Sequence, residues 1–368
     1  MARTNVAVRE GCWYWECKVT RGILSSKGEG DPESHGHVRI GWARREASLD
    51  APVGFDAYSY GIRDVAGQKV HMSRPKDFFP PGESICEGDV IGMEIRLPSL
   101  RLHRKVVQGQ YNPAVDLADE AVAESGPDAH NIVRDRIPIR FKQHIYFEKI
   151  DYHTTKELED LMNPSPMTSS GPVGSSQTPN PNHPLPPLRT LPNSYIRVYK
   201  NGKQMGDAWT DLFSFLPPAS RMVQQPAGRD KLDDGTLGYY PAISVFRGGA
   251  VEVNFGPDFW FPPLDAPAAQ DDVLMTDASA ATQGAEAHRL EPAKSSPGKT
   301  EQKPRPVSDR YSEQIVEDII YDIIDEVGFW MEDSRKVTGR SGKDGKVVEA
   351  PGMVPGGREE IKELVQDD

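Results

Sequence analysis

Histidine, cysteine and carboxylate side chains carry most catalysis and metal binding, and this sequence spaces them poorly for either. His35 and His37 form an HxH pair that could place two imidazoles on one strand face, but no cysteine or carboxylate cluster accompanies them. The sequence has no GxSxG, HExxH or P-loop motif and no strand-associated GxGxxG. We therefore predict a protein that is not an enzyme, with no metal site and no cofactor.

Three cysteines, Cys12, Cys17 and Cys86, are an odd number for a disulfide framework and too few for a four-cysteine zinc site. Cys12 and Cys17 are not at CxxC spacing, and Cys17 alternates with two tryptophans in a strand-like run. We expect Cys17 to be a buried structural thiol rather than a nucleophile. The cysteine content suits a reducing compartment.

The strongest candidate for binding is a segment in which two arginines alternate with Pro, Gly and aromatic residues. Arg39-Ile40-Gly41-Trp42 precedes the run LDAPVGFD, and YSYGIR ends at Arg63. The planar guanidinium group matches carboxylates, while aromatic side chains and proline give rigid apolar contact. This composition is typical of a concave surface that holds an acidic, partly apolar peptide. An ordinary sheet with charged rims explains the same residues.

The composition excludes several classes of protein. Lys and Arg total 43 against 55 Asp and Glu, a net charge of −12 over 368 residues, which argues against wholesale coating of a polyphosphate. No apolar run approaches the ~20 residues of a membrane span, and the N-terminal residues lack the apolar core of a signal peptide. The 33 Gly and 32 Pro, with a hydrophobic fraction of 37%, indicate a loop-rich β protein with inserts. We expect a soluble intracellular chain.

Short β-branched and aromatic runs dominate the chain as far as residue 263. One face of the first strand carries apolar residues at a period of two, Trp13, Trp15, Cys17 and Val19. Further strands are predicted at 37–42, 90–97, 137–150, 194–200, 239–245 and 250–255. Asn201-Gly202 predicts a hairpin turn, and Gly248-Gly249 predicts a second hairpin. Because no helix pattern alternates with the strands, the sequence favours an all-β fold over a doubly wound parallel sheet.

The chain divides by composition into six segments. These are a first β part with an insertion at about 98–130, a Pro/Ser/Gly-rich insert, a second β part, a linker, an amphipathic helix and a tail, over residues 1–162, 163–192, 193–263, 264–308, 309–331 and 332–368. We expect the insert, linker and tail to be disordered. Because strand patterns resume after the insert, both β parts are predicted to form one domain.

The predicted helix has an unusually wide apolar face, with the i, i+3, i+4 recurrence of Ile315, Val316, Ile319, Ile320, Ile323, Ile324 and Val327. These residues cover an arc of about 180°, so the helix needs a partner surface. The candidates are a groove of another protein, the chain's own sheet, or a membrane surface. Six carboxylates and no basic residue between 311 and 330 disfavour an anionic membrane. A wide arc fits a groove between two helices.

Several of these segments together resemble a SPRY domain: VREGCWYWE, RIGW, APVGFDAYSYGIRD, GDVIGMEI, IYFEKIDY, IRVYKNGK and YYPAISVF with VEVNFGPDF. More closely, they resemble the SPRY domain of the Ash-two/Bre-two family, a subunit of COMPASS and MLL-type histone H3 lysine 4 methyltransferase complexes. The resemblance covers residues 6–263 apart from the inserts. The segment VEDIIYDIIDEVG is similar to that family's motif for binding the Dpy-thirty-type subunit.

The resemblance implies a SPRY-type β-sandwich of two antiparallel sheets with long disordered inserts, plus a C-terminal amphipathic helix. It implies a nuclear, non-catalytic scaffold that binds an acidic-aromatic segment of a β-propeller subunit and stimulates a SET-domain catalytic subunit. The propeller-binding positions of the family correspond to Arg39, Pro52, Phe55 and Arg63, with Phe55 in place of the more usual Tyr. The positions that face the groove of the Dpy-thirty-type dimer correspond to Val316, Ile319, Ile320, Ile323 and Val327.

Three further expectations remain open from the sequence. Nucleosome or DNA contact through Arg101, Arg104 and Lys105 is one hypothesis, although solvated loops explain these charges as well. The alternative function is a SPRY-domain peptide-binding adaptor of a ubiquitin ligase, for which the terminal helix is too acidic and too rich in isoleucine. The resemblance also implies strands before Glu10-Gly11, where the sequence has few residues, so we expect one sheet to have an unpaired edge.

Overall fold

A computed structural model describes eight stretches of the chain, residues 1–24, 35–123, 137–141, 144–148, 151–162, 178–222, 235–263 and 303–338. The chain divides into two units, Met1–Ile320 and Tyr321–Asp368. The boundary between the units lies inside the last helix. The predicted disorder of residues 163–177, 264–302 and 339–368 concerns parts of the chain outside the described residues.

The described residues form sixteen strands: β1 (Ala2–Arg3), β2 (Gly11–Arg21), β3 (His37–Arg44), β4 (Ser59–Arg63), β5 (Lys69–His71), β6 (Arg74–Lys76), β7 (Val90–Leu97), β8 (Ile137–Phe141), β9 (His144–Glu148), β10 (Tyr152–His153), β11 (Tyr195–Lys200), β12 (Lys203–Thr210), β13 (Arg221–Met222), β14 (Tyr239–Phe246), β15 (Ala250–Asn254) and β16 (Arg305–Pro306). The α-helices are α1 (Leu100–Gln108), α2 (Pro113–Ala123), α3 (Lys156–Met162) and α4 (Val307–Thr338).

Two large sheets form the sandwich. The first has the strand order β1-β14-β3-β4-β5-β6, and all of its pairs are antiparallel. The second has the order β12-β11-β7-β2-β15, also antiparallel, with β16 beside β2 in parallel. Since β7 and β11 lie on opposite sides of the Pro-rich insert and pair in one sheet, both β parts belong to one sandwich. The predicted all-β fold class with two antiparallel sheets and a C-terminal helix is confirmed.

The core lies between the two sheets, where the predicted apolar face of β2 is fully buried. Trp15 on β2 meets Trp42 on β3 edge to face, with ring centroids 6.2 Å apart, so these two side chains join the sheets. Period-two alternation therefore identified the face of β2 that enters this core, although Cys12, Tyr14 and Glu16 on the other face are buried as well. A smaller apolar cluster, which includes Ala43, Val53 and Leu158, packs separately from this core.

One of the two predicted hairpins is confirmed and the other is wrong. Asn201 and Gly202 have φ angles of 50° and 79°, as a two-residue hairpin between β11 and β12 requires. The Gly248-Gly249 turn, by contrast, joins strands that do not pair with each other, because β14 pairs with β3 while β15 pairs with β2 in the other sheet. The turn therefore carries the chain from one sheet to the other.

The single strand predicted at 137–150 is also wrong, because two short strands, β8 and β9, pair with each other there. The polar insertion predicted at about 98–130 is wrong for its first part, where α1 contributes Leu102, Val106 and Val107 to the core. Ser99 caps this helix and Gly109 ends it in the left-handed conformation. These two signals mark a short helix that strand alternation does not detect.

The expected insert at 163–192 is shorter than predicted, because residues 178–192 pack against the domain. Leu191 is buried, and the Arg189 guanidinium donates hydrogen bonds to the backbone carbonyl groups of Val106 and Val107. A bridge between Thr190 and Phe213 fixes the same segment. The Pro/Ser/Gly composition did not predict this because a partly buried arginine that binds carbonyl groups leaves no apolar periodicity.

The last helix begins on the sandwich and not at the end of a free linker, which differs from the predicted bounds of 264–308 and 309–331. β16 pairs with Trp13 and Tyr14, and the Arg305 guanidinium lies 4.4 Å from the centroid of the Trp13 ring. Val307, the first residue of α4, is buried, and Ser308 N donates to Phe255 O over 3.0 Å. Residues 303–308 are therefore part of the domain.

The N-terminal residues cover the edge of the first sheet that was expected to be unpaired. β1 pairs with β14, and Val8 forms a further bridge to Tyr239. Val6 and Val8 are buried in the core. Among the described residues, no helix combines the length and apolar character needed to cross a membrane.

Candidate functional site

The candidate site is built on two arginines that lie directly opposite each other on neighbouring strands. Arg39 on β3 pairs with Arg63 on β4 in the antiparallel register. Directly opposite residues of a sheet share one face, so both guanidinium groups leave the sheet on the same side. Like charges in this position destabilise a strand pair, which makes the arrangement unfavourable for the fold itself.

Two glycines next to the arginine pair permit close approaches to the sheet. Gly41 and Gly61 pair across β3 and β4; a Cβ atom on Gly41 would overlap a backbone carbonyl oxygen of β4, and one on Gly61 would lie 2.9 Å from Val53 Cγ1. Gly41 therefore allows the two strands to lie close together, and Gly61 allows the loop 51–57 to lie against the sheet. Val53 N donates to Ser244 Oγ over 3.0 Å, which fastens the loop to β14. This loop carries the other two predicted binding residues.

The predicted residues Pro52 and Phe55 come together in a turn of this loop. Phe55 N donates to Pro52 O over 3.0 Å, and the Phe55 side chain is 43% exposed. The loop is connected to the arginine pair by one hydrogen bond, in which Arg39 Nη1 donates to Val53 O over 3.4 Å. The structure thus brings the four predicted residues onto three adjoining elements, β3, β4 and the loop 51–57.

A cavity of about 320 Å³ lies at the arginine pair, and its lining includes residues that the sequence analysis missed. The lining residues are His37, Val38, Arg39, Arg63, Asp64, Val65, Phe246 and Arg247. Pro52 and Phe55 are not among them. The β14 register could have revealed Phe246, because it pairs with His37 two residues before Arg39, but strand adjacency is not encoded locally.

The cavity carries more positive than negative charge that is available to a ligand. Asp64 Oδ2 accepts from Val38 N and from His37 Nδ1, each over 3.0 Å, and Asp64 Oδ1 accepts from Val65 N over 2.8 Å. The Asp64 carboxylate is therefore occupied by hydrogen bonds from nearby residues of the same chain. In the part of the chain that the structure describes, no carboxylate forms an ion pair with Arg39 or Arg63, and the buried Nε of Arg63 has no hydrogen-bond partner.

Burial lowers the pKa of Arg39, and the neighbouring Arg63 charge lowers it further, while Asp64 acts in the opposite direction. The Arg39 guanidinium also lies 5.6 Å from the centroid of the Phe246 ring. A partly buried cation next to a second cation gains strongly from an added carboxylate, because the ligand relieves both desolvation and repulsion. The arrangement is thus suited to binding an anion.

The second predicted site, on α4, presents an exposed apolar face. Val316, Ile319, Ile323 and Val327 are each about half exposed, with Ile319 at 54%, while Ile320 is partly buried. Further exposed apolar side chains continue to the predicted end of the helix, at Trp330 and Met331, and the helix itself continues to Thr338. A basic residue just before the segment 311–330 compensates part of its negative charge, since Arg310 binds both carboxylate oxygens of Glu317 over 3.1 and 3.0 Å.

The three basic residues proposed for nucleic-acid contact lie on α1 and differ in their surroundings. Lys105 forms a close ion pair with Asp116, Arg104 is partly buried, and Arg101 is exposed. Only Arg101 therefore has the accessibility that the hypothesis requires, and the three residues do not form a continuous exposed patch.

The cysteines and the histidine considered for nucleophilic chemistry and metal binding are engaged in the fold itself. Burial raises the pKa of the Cys17 thiol, and burial together with the Glu94 charge raises that of Cys12, so both remain protonated thiols. His37 is paired with Asp64, and within the described ranges no group of three or more His, Cys, Asp or Glu side chains is arranged to hold a metal ion.

Comparisons with known proteins identify relatives with closely similar sequences. The chain is 65% identical to the COMPASS component cclA of Colletotrichum higginsianum over 100% of this chain and 64% of that protein. It is 39% identical to the Set1 complex component ash2 of Schizosaccharomyces pombe, over 89% of this chain and 37% of that protein. The COMPASS component BRE2 of Saccharomyces cerevisiae is 26% identical over 89% of this chain and 75% of that protein.

The chain thus spans less than two thirds of the length of the first two of these relatives. No family model matches the chain. A human SPRY domain aligns with 70% of the chain at 12% identity and a TM-score of 0.29. The fold assignment therefore rests on the strand pairing described above, and the family assignment rests on sequence identity. The chain belongs to the Ash-two/Bre-two family.

Proposed function

We propose that this chain is a non-catalytic scaffold subunit of a COMPASS-type histone H3 lysine 4 methyltransferase complex in the nucleus. In this role it binds a β-propeller subunit and a Dpy-thirty-type helical dimer, and it stimulates the SET-domain catalytic subunit. The observation that carries the proposal is the Arg39–Arg63 pair, two neighbouring cations with no carboxylate partner among the described residues.

The arginine pair supports binding of an acidic segment of the propeller subunit. Placing two guanidinium groups opposite each other costs stability, and a peptide carboxylate would offset this cost. The exposed Phe55 ring beside Pro52 offers the rigid apolar contact that an aromatic residue of the same segment would use. Replacement of the more usual Tyr by Phe55 removes one hydroxyl group and leaves this apolar contact in place.

The apolar face of α4 supports binding of the helical dimer. Ile319 and Ile323, each more than half exposed, lie one turn apart on the same side of the helix, with Val316 and Val327 beside them. An exposed isoleucine stripe gains free energy when it is buried, and a groove between two helices covers both flanks of the stripe.

The names of the relatives support the complex and its location. Three of them are named as components of COMPASS or of the Set1 complex. A component of a histone-modifying complex acts on chromatin, which supports a nuclear location for this chain. The buried thiols and the hydrogen-bonded Asp64 carboxylate support a non-catalytic role. Methyl transfer and cofactor binding then belong to the SET-domain subunit.

The proposal can be tested by pull-down of the full chain with separately purified propeller and helical-dimer subunits. Arg39→Ala should weaken only propeller binding, because it removes one of the two cations. Ile319→Glu should weaken only dimer binding, because it buries an unpaired carboxylate in the groove. Lys76→Ala, an exposed cation on β6, and Tyr311→Glu, an exposed position outside the five predicted groove residues, are the matched controls.

A methylation assay on histone H3 completes the test. The chain alone should have no activity, and its addition to the SET-domain, propeller and dimer subunits should raise methylation at lysine 4. If wild type binds neither partner, or if the isolated chain transfers methyl groups, the scaffold assignment is wrong. A thermal melt of each variant distinguishes lost binding from lost folding.

A further inference from the structure

The start of α4 is anchored on the sandwich by a small set of contacts. β16 contributes a parallel pair of only two residues to β2. Val307 is 2% exposed, and Ser308 N donates to Phe255 O over 3.0 Å. Contacts of this size break in local opening more often than the core between the two sheets does. The start of α4 therefore has two accessible states, anchored on the sandwich and released from it.

Arg305 contacts both the sandwich and the helix. Its guanidinium carbon lies 4.4 Å from the centroid of the Trp13 ring on β2. The Trp13 ring belongs to the core and its Nε1 donates to Glu10 O over 2.6 Å, so the ring is a fixed surface. The same guanidinium group binds α4, because Arg305 Nη2 lies 2.5 Å from Glu313 Oε1 and 3.6 Å from Asp309 Oδ2.

The two carboxylates come together only when the beginning of α4 is helical. Asp309 and Glu313 are four residues apart, which places them on one side of a helix about 6 Å from each other, whereas an extended chain would separate them by about 13 Å. In the same way, Trp13 lies beside Arg305 because β16 is paired with β2. The full set of Arg305 contacts therefore requires a helical α4 and an anchored β16 at the same time.

We infer that Arg305 is a positioning residue that couples α4 to the sandwich, so that a helical dimer bound on the apolar face of α4 and the anchored start of the helix stabilise each other. This inference rests on the proposed function and deepens it, because it states how occupation of α4 acts on the domain. The coupling is reciprocal, since a partner that favours one of two states is itself bound more tightly by that state.

The physical steps of the coupling follow from the contacts. The predicted groove residues begin at Val316, three residues after Glu313 and within the same unit as the sandwich. A dimer that binds this face holds α4 in the helical state. The helical state aligns both carboxylates with Arg305, and the aligned guanidinium group stacks on Trp13 and favours the pairing of β16 with β2.

A second arginine near the start of the helix supplies a matched comparison. Arg310 forms ion pairs with Glu313 and Glu317, both of which lie on α4. These pairs support the helix itself, as side chains three or more residues apart on one helix do. They do not connect the helix to the Trp13 ring, so the loss of one of them should leave the coupling intact.

The test is hydrogen exchange of the full chain, followed by mass spectrometry, with and without the purified helical-dimer subunit. Two segments are compared. Residues 315–330 report binding of the dimer, and residues 11–15 of β2 report the anchoring of β16. In wild type we expect the dimer to slow exchange in both segments, with a factor of about five or more in residues 11–15, the lower end of typical coupling between two sites.

Arg305→Ala should separate the two effects. The Arg305 side chain is 44% exposed, so its removal leaves no cavity in the core. The dimer should still slow exchange in residues 315–330, because the apolar face is unchanged, but should slow residues 11–15 by less than about twofold. Glu317→Gln, which removes the pair with Arg310, is the control and should behave as wild type. A purely structural role of Arg305 would speed exchange in residues 11–15 equally with and without the dimer and leave their ratio unchanged.

Each result either supports or overturns the inference. Slowing of residues 11–15 that persists in Arg305→Ala would show that the dimer protects them by another route, and the assignment of Arg305 would be wrong. If the dimer slows residues 315–330 of wild type but not residues 11–15, the scaffold function stands and the coupling is wrong. If the dimer changes neither segment of wild type, the proposed function itself fails at α4.

Discussion

The two ends of β3 carry arginines in opposite situations. Arg44 is fully buried, and its Nη2 donates to Glu46 Oε1 over 2.5 Å and to Ser220 Oγ over 2.9 Å. Its Nη1 donates to Ser214 O over 3.0 Å. Arg39, five residues earlier, has one hydrogen bond of 3.4 Å to the backbone and a second arginine opposite it.

The pKa shifts of Arg44 and Arg39 show the same contrast. Burial acts to lower the pKa of each. For Arg44 burial is the largest single effect, but the charge and hydrogen bond of Glu46 together with Tyr239 and Tyr58 outweigh it, and the pKa is raised. For Arg39 no carboxylate compensates fully, and Arg63 lowers the pKa further. A buried arginine whose donors are all used contributes to the fold, whereas an arginine held beside another cation is a candidate for binding a partner.

The largest effect on stability is expected at Arg44. Arg44→Ala leaves the Glu46 carboxylate buried without its partner and should lower the free energy of unfolding by about 3–5 kcal/mol. Urea unfolding of the full chain measures this loss. The double variant Arg44→Met/Glu46→Leu should regain most of it, because it removes both charges together. A single-variant loss below about 1 kcal/mol would contradict the assignment of Arg44 as a structural ion pair.

The next effect is a loss of stability in acid through His71, at the base of loop 51–57. His71 stacks on Tyr60 with ring centroids 4.1 Å apart, and its Nδ1 contacts Ser59 O at 2.9 Å. Burial lowers the pKa of His71 to about 4, opposed by the Ser59 contact and assisted by the Lys76 and Arg74 charges.

The direction of this pH dependence follows from linkage. Since the unfolded chain takes up the proton first, the stability due to neutral His71 is complete above about pH 6.5 and is lost as the pH falls towards 4. The loss should reach up to about 3 kcal/mol. Urea unfolding at a series of pH values measures it, and His71→Phe should flatten the profile over this range. An unchanged profile in that variant would assign the acid sensitivity to other groups.

A smaller effect is expected where the loop meets the sheet. In Gly61→Ala the new methyl group would lie 2.9 Å from Val53 Cγ1 and 3.1 Å from Val53 O. The loop must shift, so stability should fall by about 1–3 kcal/mol and propeller binding should weaken. Gly328→Ala, on α4 with no atom within 4 Å of the added carbon, is the control and should not lower stability. Unchanged propeller binding in Gly61→Ala would show that the loop position is not required.

The smallest effect on stability is expected at Arg39, where the contrast with Arg44 is greatest. Arg39→Ala should change the free energy of unfolding by no more than about 0.5 kcal/mol, because the residue has one long hydrogen bond and a repulsive neighbour. Its effect should instead appear in propeller binding, which should weaken as salt is added. A stability loss as large as that of Arg44→Ala would remove the distinction between the two ends of β3.

Most of the fold could be predicted because it depends on local patterns. The alternation of Trp13, Trp15 and Cys17 identified a strand and its buried face, and Asn201-Gly202 identified a hairpin. Gly248-Gly249 was a turn signal of the same kind, but the strands it joins enter different sheets. The choice between a hairpin and a crossover depends on which distant strands are neighbours, and a turn sequence does not specify that.

The candidate site could be predicted in part for the same reason. Arg39 and Arg63 were identified through residues close to each other in sequence. Phe246 lies more than 180 residues away from Arg63 and reaches the cavity only through the pairing of β14 with β3. The packing of Arg189 against Val107 also depends on a distant contact, which is why a Pro-rich composition was misleading there.

The pairing of β16 with β2 has a consequence for how the length of the chain can vary. The described residues on either side of 264–302 belong to the sandwich, since Pro263 is buried and Arg305 pairs with Trp13. The starting point of α4 is therefore set by the sandwich and not by the number of residues that lie between these two positions. A change in that number should leave Val307 and Ser308 in place against the domain.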